Sequence, residues 1–374
     1  MKPGYLTLFL SALTLLPAVT SADEVGEDAS GATKPPPPRI TYGGYADFYY
    51  TYNLNRPAEG TNALRYPELS DQHGVHMGSL NVWMEGKRAP VGFRVDVGYG
   101  TSVNLGHFRE PSKSDVIKHI SQAYVSVNLD RSGSTYVDFG QWSSPAGVLS
   151  ADRTNWFYDN DWFLCFAVPI YHTGARITHY FNKTDYLMAG LHRGWDATGD
   201  PHHDLGMIIS GSEMVNPRLR LSGNYIGGAE HNGSGRSTWR HVGNLMLLWN
   251  QDTRWSHSFE GVYGQQEGVS TVPGHPKTIQ WVGAAVTSKY TLNARQYVTA
   301  KAEWYREDSG FLLGFRGNMT SLAVNYTRIV NDHLQLRYEY RHDFADGAKP
   351  FSDRANGAFT GQQGTFVISA IVGF

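Results

Sequence analysis

From Ile40 to the last residue, apolar and polar side chains alternate with a period of two in about sixteen runs. Successive strand side chains point to opposite sides, so this alternation predicts β-strands whose two faces meet different surroundings. The predicted strands are 40–53, 76–87, 91–102, 119–130, 134–141, 171–182, 185–195, 203–214, 217–228, 239–250, 255–265, 278–289, 295–306, 319–329, 333–343 and 364–374. In 91–99, Val91, Phe93, Val95, Val97 and Tyr99 share one face, and Arg94 and Asp96 the other. In 119–130, Ala123, Val125, Val127 and Leu129 oppose Gln122, Ser126 and Asn128. In 333–341, Leu334, Leu336, Tyr338 and Tyr340 oppose Gln335, Arg337, Glu339 and Arg341.

The connections sort by parity. Every second one is short, as at Arg88-Ala89-Pro90, Arg131-Ser132-Gly133, Asn182-Lys183-Thr184, Val215-Asn216, Asp252-Thr253 and Asn331-Asp332. The others are longer and polar: 54–75, 103–118, 142–170, 229–238, 266–277, 307–318 and 344–363, with 196–202 the shortest. Short periplasmic turns and long outward loops are the asymmetry of outer-membrane barrels, whereas a soluble sandwich has no reason to sort its loops this way. The expected fold is all-β: a transmembrane antiparallel up-and-down β-barrel of about sixteen strands over 40–374, with a long third outward loop.

The N-terminus changes the compartment. Lys2, the apolar run Leu6 to Leu16 and the small residues Thr20, Ser21 and Ala22 read as a secretory signal peptide over 1–22, with cleavage expected after Ala22. Residues 23–39 follow as a polar spacer with four consecutive prolines, Pro35 to Pro38, a stiff extended link rather than a packed element. The signal's apolar run is too short to span a bilayer, and no other segment approaches the necessary length. Spanning would therefore require a closed barrel, which satisfies every backbone amide internally. Among 374 residues, 22 Tyr, 17 Phe, 10 Trp and 41 Gly suit aromatic girdles and many tight turns. A net charge of −2 offers no broad basic surface, so no nucleic-acid partner is expected. Cys165, the single cysteine, allows no internal disulfide and reads as an inert apolar residue.

The last strand separates barrel from sandwich. Phe366, Ile368, Ala370, Val372 and Phe374 share one face, and a chain ending on an alternating strand with terminal Phe374 looks like the signal read by the outer-membrane assembly machinery. Other segments add to this. They are Gly43-Gly44-Tyr45-Ala46-Asp47-Phe48-Tyr49-Tyr50-Thr51-Tyr52-Asn53 followed by Asn55-Arg56-Pro57, Gly92-Phe93-Arg94-Val95-Asp96 with Gly98 and Gly100, and Gln122-Ala123-Tyr124-Val125-Ser126. Asp138-Phe139-Gly140-Gln141 and His172-Thr173-Gly174-Ala175-Arg176 complete the series. In order and spacing they resemble the OmpL-like β-barrel porins of Gram-negative outer membranes, over residues 40–374. The resemblance implies a porin. The stretch with Gly147-Val148-Leu149, Asn155-Trp156-Phe157-Tyr158 and Asp159-Asn160-Asp161-Trp162 departs from the family pattern, so no solute preference carries over.

A barrel of about sixteen strands is wide enough for an aqueous channel. The longest connection, 142–170, carries Asp152, Arg153, Asp159 and Asp161 among Trp142, Trp156, Phe157, Tyr158, Trp162 and Phe163. Long ordered loops are usually functional, and inward folding to narrow the lumen is the expectation, against an outer cap or subunit contact. The inward positions expected to line the pore are Arg94, Arg176, Arg218, Arg220, Arg337 and Arg341, with Asp47, Glu85, Asp96, Asp138, Glu260, Glu303 and Glu339. Arginines facing loop aspartates would set ion preference through a transverse field; the alternative is that the charges pair within the wall and keep the lumen wet.

Other chemistry is set aside. In Pro201-His202-His203-Asp204 the adjacent histidines are poor co-ligands in a strand, and Gly227-Gly228 with Gly233-Ser234-Gly235 precedes no helix. Ser143-Ser144 shows no nucleophile motif. No catalytic, cofactor or metal site is expected. The expected function is passive diffusion of small hydrophilic solutes or ions. Outer-membrane lipid and the assembly machinery are the expected partners, and a homo-oligomer is left open. The competing readings are a barrel enzyme of lipase or protease type and a plugged structural or adhesion barrel.

Overall fold

The computed structural model describes residues 40–57, 73–86, 90–107, 110, 114–147, 167–198, 204–232, 236–270, 275–353 and 358–373. The chain opens with β1 (Ile40–Asn53), β2 (His73–Gly86), β3 (Val91–Tyr99), β4 (Ile120–Asn128), β5 (Thr135–Ser143) and β6 (Tyr171–Tyr180). It continues through β7 (Tyr186–His192), β8 (Gly206–Asn216), β9 (Leu219–His231), β10 (Ser237–Asn250), β11 (Trp255–Val269) and β12 (Lys277–Asn293). Then come β13 (Gln296–Glu307), β14 (Gly317–Ile329), β15 (Leu334–Asp346), β16 (Phe351–Asp353), β17 (Ala358–Thr360) and β18 (Gln362–Gly373). Sixteen of these close into a barrel of sequential antiparallel neighbours, sealed by β18 between β15 and β1. Closure leaves no unpaired edge, as spanning strands require.

The predicted strands match the barrel strands in number and order. Two features were absent from the sequence pattern. The last outward loop carries a separate hairpin, β16 with β17. The second outward loop begins with a short helix, α1 (Thr101–Gly106), where the pattern extended β3 to residue 102. Gly100 ends that strand: its φ is +130°, and a Cβ there would press on the Gly78 carbonyl, so the chain turns away into the helix. No helix of the described residues is long and apolar enough to cross a membrane.

The faces are inverted relative to a soluble protein. Val95, Val97, Tyr99, Val125, Tyr338, Phe366, Ile368 and Val372 are exposed outward, while Asp96, Gln122, Ser126, Arg337, Glu339 and Arg341 are buried inside. Leu245, 57 % exposed in the middle of β10, stands on the outward face. Leu245→Arg should cost about 2–4 kcal/mol of folding stability in lipid vesicles, the magnitude for a cation at the bilayer midplane. Urea titration of refolding checks this; an unchanged midpoint would argue that this face does not meet lipid.

The short turns share one device. Asp130, Asn182, Asn216, Asp252, Asn293 and Asn331 each accept backbone N–H bonds from residues two to five further on, which fixes a tight reversal locally. At Asp130, hydrogen bonds from Thr135 first and Ser132 next hold the exposed carboxyl down to about 2 from its usual 3.8. The folded value lies below the ordinary one, so the bonds persist above the ordinary value and are lost as pH falls through about 2. The Thr135 amide NMR signal should titrate with that low midpoint; a midpoint near 3.8 would contradict it.

Candidate functional site

The inward side chains divide into two arcs. Strands β13, β14, β15, β18 and β1 to β6 form one arc, dense in charge. On it, Arg94 Nε lies 2.8 Å from Asp96 Oδ1 and its Nη1 2.9 Å from Glu85 Oε2, while Gln122 Nε2 donates to Asp96 Oδ2 at 2.7 Å. Arg176 donates to Asp138 at 2.9 Å, and the Ser126 hydroxyl donates to the same carboxylate. Arg341 donates to Asp343 at 2.8 Å and lies 3.7 Å from Glu303, which Lys301 approaches at 3.0 Å. Arg337 and Glu339 are buried on the same face of β15, and Glu339 accepts from Asn325 at 3.3 Å. Asp47 and Glu260 also point inward. Within the described residues, then, Arg94, Arg176 and Arg341 pair with carboxylates of the wall itself. Burial makes a lone charge costly, which is why each sits beside an opposite one.

Arg220 is inward on β9 and half-buried, with its Nε 3.4 Å from Met214 Sδ. Arg218 is a correction. It stands exposed in the turn before β9 and donates to the Gln251 carbonyl at 3.0 Å, because the strand begins at Leu219 rather than at residue 217. Asp152, Arg153, Asp159, Asp161 and the terminal Phe374 lie outside the described residues, as do Cys165, His202 and His203.

The second arc, β7 to β12, was not foreseen. Met188, Ile208, Ile226, Val242, Val262, Ile279 and Trp281 project inward from consecutive strands and join one apolar cluster. Loops add Ala146, Ala167 and Val168 from the third outward loop, Trp195 from the fourth, Leu313 from the seventh and Phe351 from the eighth. The cluster is completed by Val269 on β11 and by Tyr49, Tyr305, Met319 and Val367 on β1, β13, β14 and β18 of the first arc. The sequence did carry a signal. Met207-Ile208-Ile209 and Leu245-Met246-Leu247 break alternation with continuous apolar runs, which mark strands covered on both faces.

Two hydrogen bonds hold the described ends of the third loop inside the barrel. Gly147 N donates to Asn244 Oδ1 on β10 at 3.2 Å, and Trp281 Nε1 on β12 donates to the Ala167 carbonyl at 3.2 Å. The loop is rooted on β5 and β6, so these partners stand four to six strands away around the wall. At roughly 4.8 Å per strand, only a path through the barrel reaches them. Asn244 is itself fixed by Asn224 at 3.1 Å and Glu260 at 2.7 Å. Trp281 lies flat over Gly264, where any Cβ would overlap the indole. Arg240 covers Trp195 at 4.7 Å and donates to Gln266 at 2.7 Å.

Catalytic and metal chemistry find little footing in these residues. Ser144 Oγ lies 3.3 Å from His172 Nε2, but among the described residues His172 Nδ1 has no partner to orient the ring, which packs on His192 at 4.6 Å. A Ser–His pair without a third, orienting group lacks the arrangement of an activated nucleophile. Among the described residues, no group of three or more His, Cys, Asp or Glu could hold a metal.

Residues 39–374 match the model of the family described as "Putative beta-barrel porin-2, OmpL-like". No curated protein sequence matches the chain. Among solved structures, the trimer form of OmpT, an outer membrane protein of Vibrio cholerae, superimposes with a TM-score of 0.60 at 9 % identity, over 91 % of this chain and 100 % of that one. The outer membrane channel DcaP of Acinetobacter baumannii gives 0.59 at 12 % identity, over 90 % and 98 %. A mutant of the Rh. blastica porin gives 0.53 at 11 %, over 90 % and 100 %. At such identities the likeness concerns the fold.

Proposed function

The chain belongs to the OmpL-like β-barrel porin family, and from that premise we propose that it passes small hydrophilic solutes and ions by passive diffusion through the barrel interior, without catalysis. The observation that carries this reading is the inverted wall: exposed apolar side chains outside, charged and polar ones inside, with the two described ends of the third loop bonded to β10 and β12. In this reading Asp152, Arg153, Asp159 and Asp161 ride on that loop into the lumen and narrow it. Export would remove residues 1–22, and Phe374 would serve assembly in the outer membrane. The trimer form of the V. cholerae neighbour supports a homo-oligomer here as well.

Planar-bilayer recording tests the proposal. Discrete conductance steps are expected. Asp159→Asn should move the reversal potential toward anions, and Arg94→Gln, which leaves Asp96 and Glu85 uncompensated, toward cations. Steps with a reversal potential unmoved by both changes would remove the charged constriction and keep the pore. Silence accompanied by hydrolysis of lipid or peptide would replace the porin with an enzyme. The apolar cluster inside the barrel favours a second reading, a plugged barrel, for which silence without hydrolysis is the signature.

A further inference from the structure

We propose that the short-turn end of the lumen holds a binding subsite for solutes that join a flat apolar ring to a carboxylate, formed by Tyr180, Tyr186 and Arg220, with the buried Tyr136 backing the rings. It rests on the porin reading and names a solute class for it. The three tyrosines point inward from consecutive strands β5, β6 and β7. Their rings form a row: Tyr136 and Tyr180 are stacked at 6.1 Å and 22°, and Tyr180 and Tyr186 meet at 5.6 Å and 52°. Tyr180 and Tyr186 are cross-strand partners and stay half-buried, whereas Arg337 and Arg341 further along the lumen are each 1 % exposed. The Tyr186 hydroxyl is 3.2 Å from Ser210 Oγ, which holds that ring upright on the wall.

Arg220 supplies the charge. It projects inward from the second residue of β9, at the same end of the barrel, and its titratable neighbours are Tyr186, Asp185 and Tyr180. Arg94, Arg176 and Arg341 each bond a carboxylate, and Arg240 bonds the Gln266 amide oxygen. Among the described residues, Arg220 donates only to the Met214 thioether. The nearest acid, Asp185, is engaged elsewhere, accepting from Met214 N at 2.8 Å, Asn182 Nδ2 at 2.6 Å and Thr184 Oγ1 at 2.9 Å. A guanidinium with open donors matches a carboxylate in a two-point bond, and tyrosine faces stack on a flat ring. The combination selects for both features in one molecule.

Benzoate is the probe, acetate and glucose the controls. In single-channel recording, benzoate added on the short-turn side should interrupt the current with dwell times about tenfold longer than acetate, the effect of one added ring contact, since both carry the carboxylate. Arg220→Gln, or Tyr180→Ala with Tyr186→Ala, should shorten those dwells to the acetate level, while Tyr180→Phe keeps them. Equilibrium binding of benzoate to the detergent-solubilised protein, followed by ligand-observed NMR, runs in parallel. Binding lost in Arg220→Gln without any conductance would uphold the subsite and sink the pore. Conductance with benzoate no better than acetate or glucose, or with dwells indifferent to Arg220→Gln, would overturn the subsite and leave the pore.

Discussion

Trp281→Ala should open the channel wider and destabilise the barrel by about 3–5 kcal/mol, the cost of truncating a large buried aromatic. Trp281 is 1 % exposed, packs edge-on against Trp195 at 6.3 Å and donates to the Ala167 carbonyl. Removing it frees the far end of the third loop from β12 and hollows the apolar cluster. The expected record is a larger and noisier unit conductance, with earlier unfolding in urea. Gly264→Val should give the same conductance change by the opposite route, because its side chain would occupy the space of the indole. A wild-type conductance in both variants would mean that the loop does not depend on this contact.

Arg176→Leu comes next in size. Arg176 and Asp138 are 5 % and 1 % exposed, and the guanidinium also lies over Trp142 at 5.1 Å and Tyr124 at 5.5 Å. Removing one member of a buried pair strands the other charge, at a cost of about 3–5 kcal/mol. The double variant Arg176→Leu with Asp138→Leu should recover most of the loss, since an apolar pair of similar volume leaves no stranded charge. Arg94, 19 % exposed and nearer water, should cost about 1 kcal/mol or less when changed to Gln. Urea unfolding in micelles ranks the three. Equal losses at Arg94 and Arg176 would show that burial does not separate them.

Much of the barrel was readable because each strand repeats one rule over its whole length. Val95 and Asp96, or Tyr338 and Glu339, declare opposite faces by adjacency alone, and the short turns announce themselves through Asp130, Asn182 or Asn331. Arg94 and Arg176 were assigned inward on the same ground. Arg218 was misplaced because its turn runs to residue 218, and a two-residue slip at a strand start keeps the parity while moving the residue out of the wall.

The amino-acid order by itself determined strand number, alternation of faces and the parity of turns and loops, since all three arise from neighbours in sequence. The tertiary structure alone decided what the inner wall touches. Ala167 meets Trp281 across 114 positions and Gly147 meets Asn244 across 97, and no periodicity encodes partners so distant. It also decided which arginines are bonded by carboxylates and that Arg220 is bonded by none among the described residues, because cross-strand pairing depends on register set by the closed barrel.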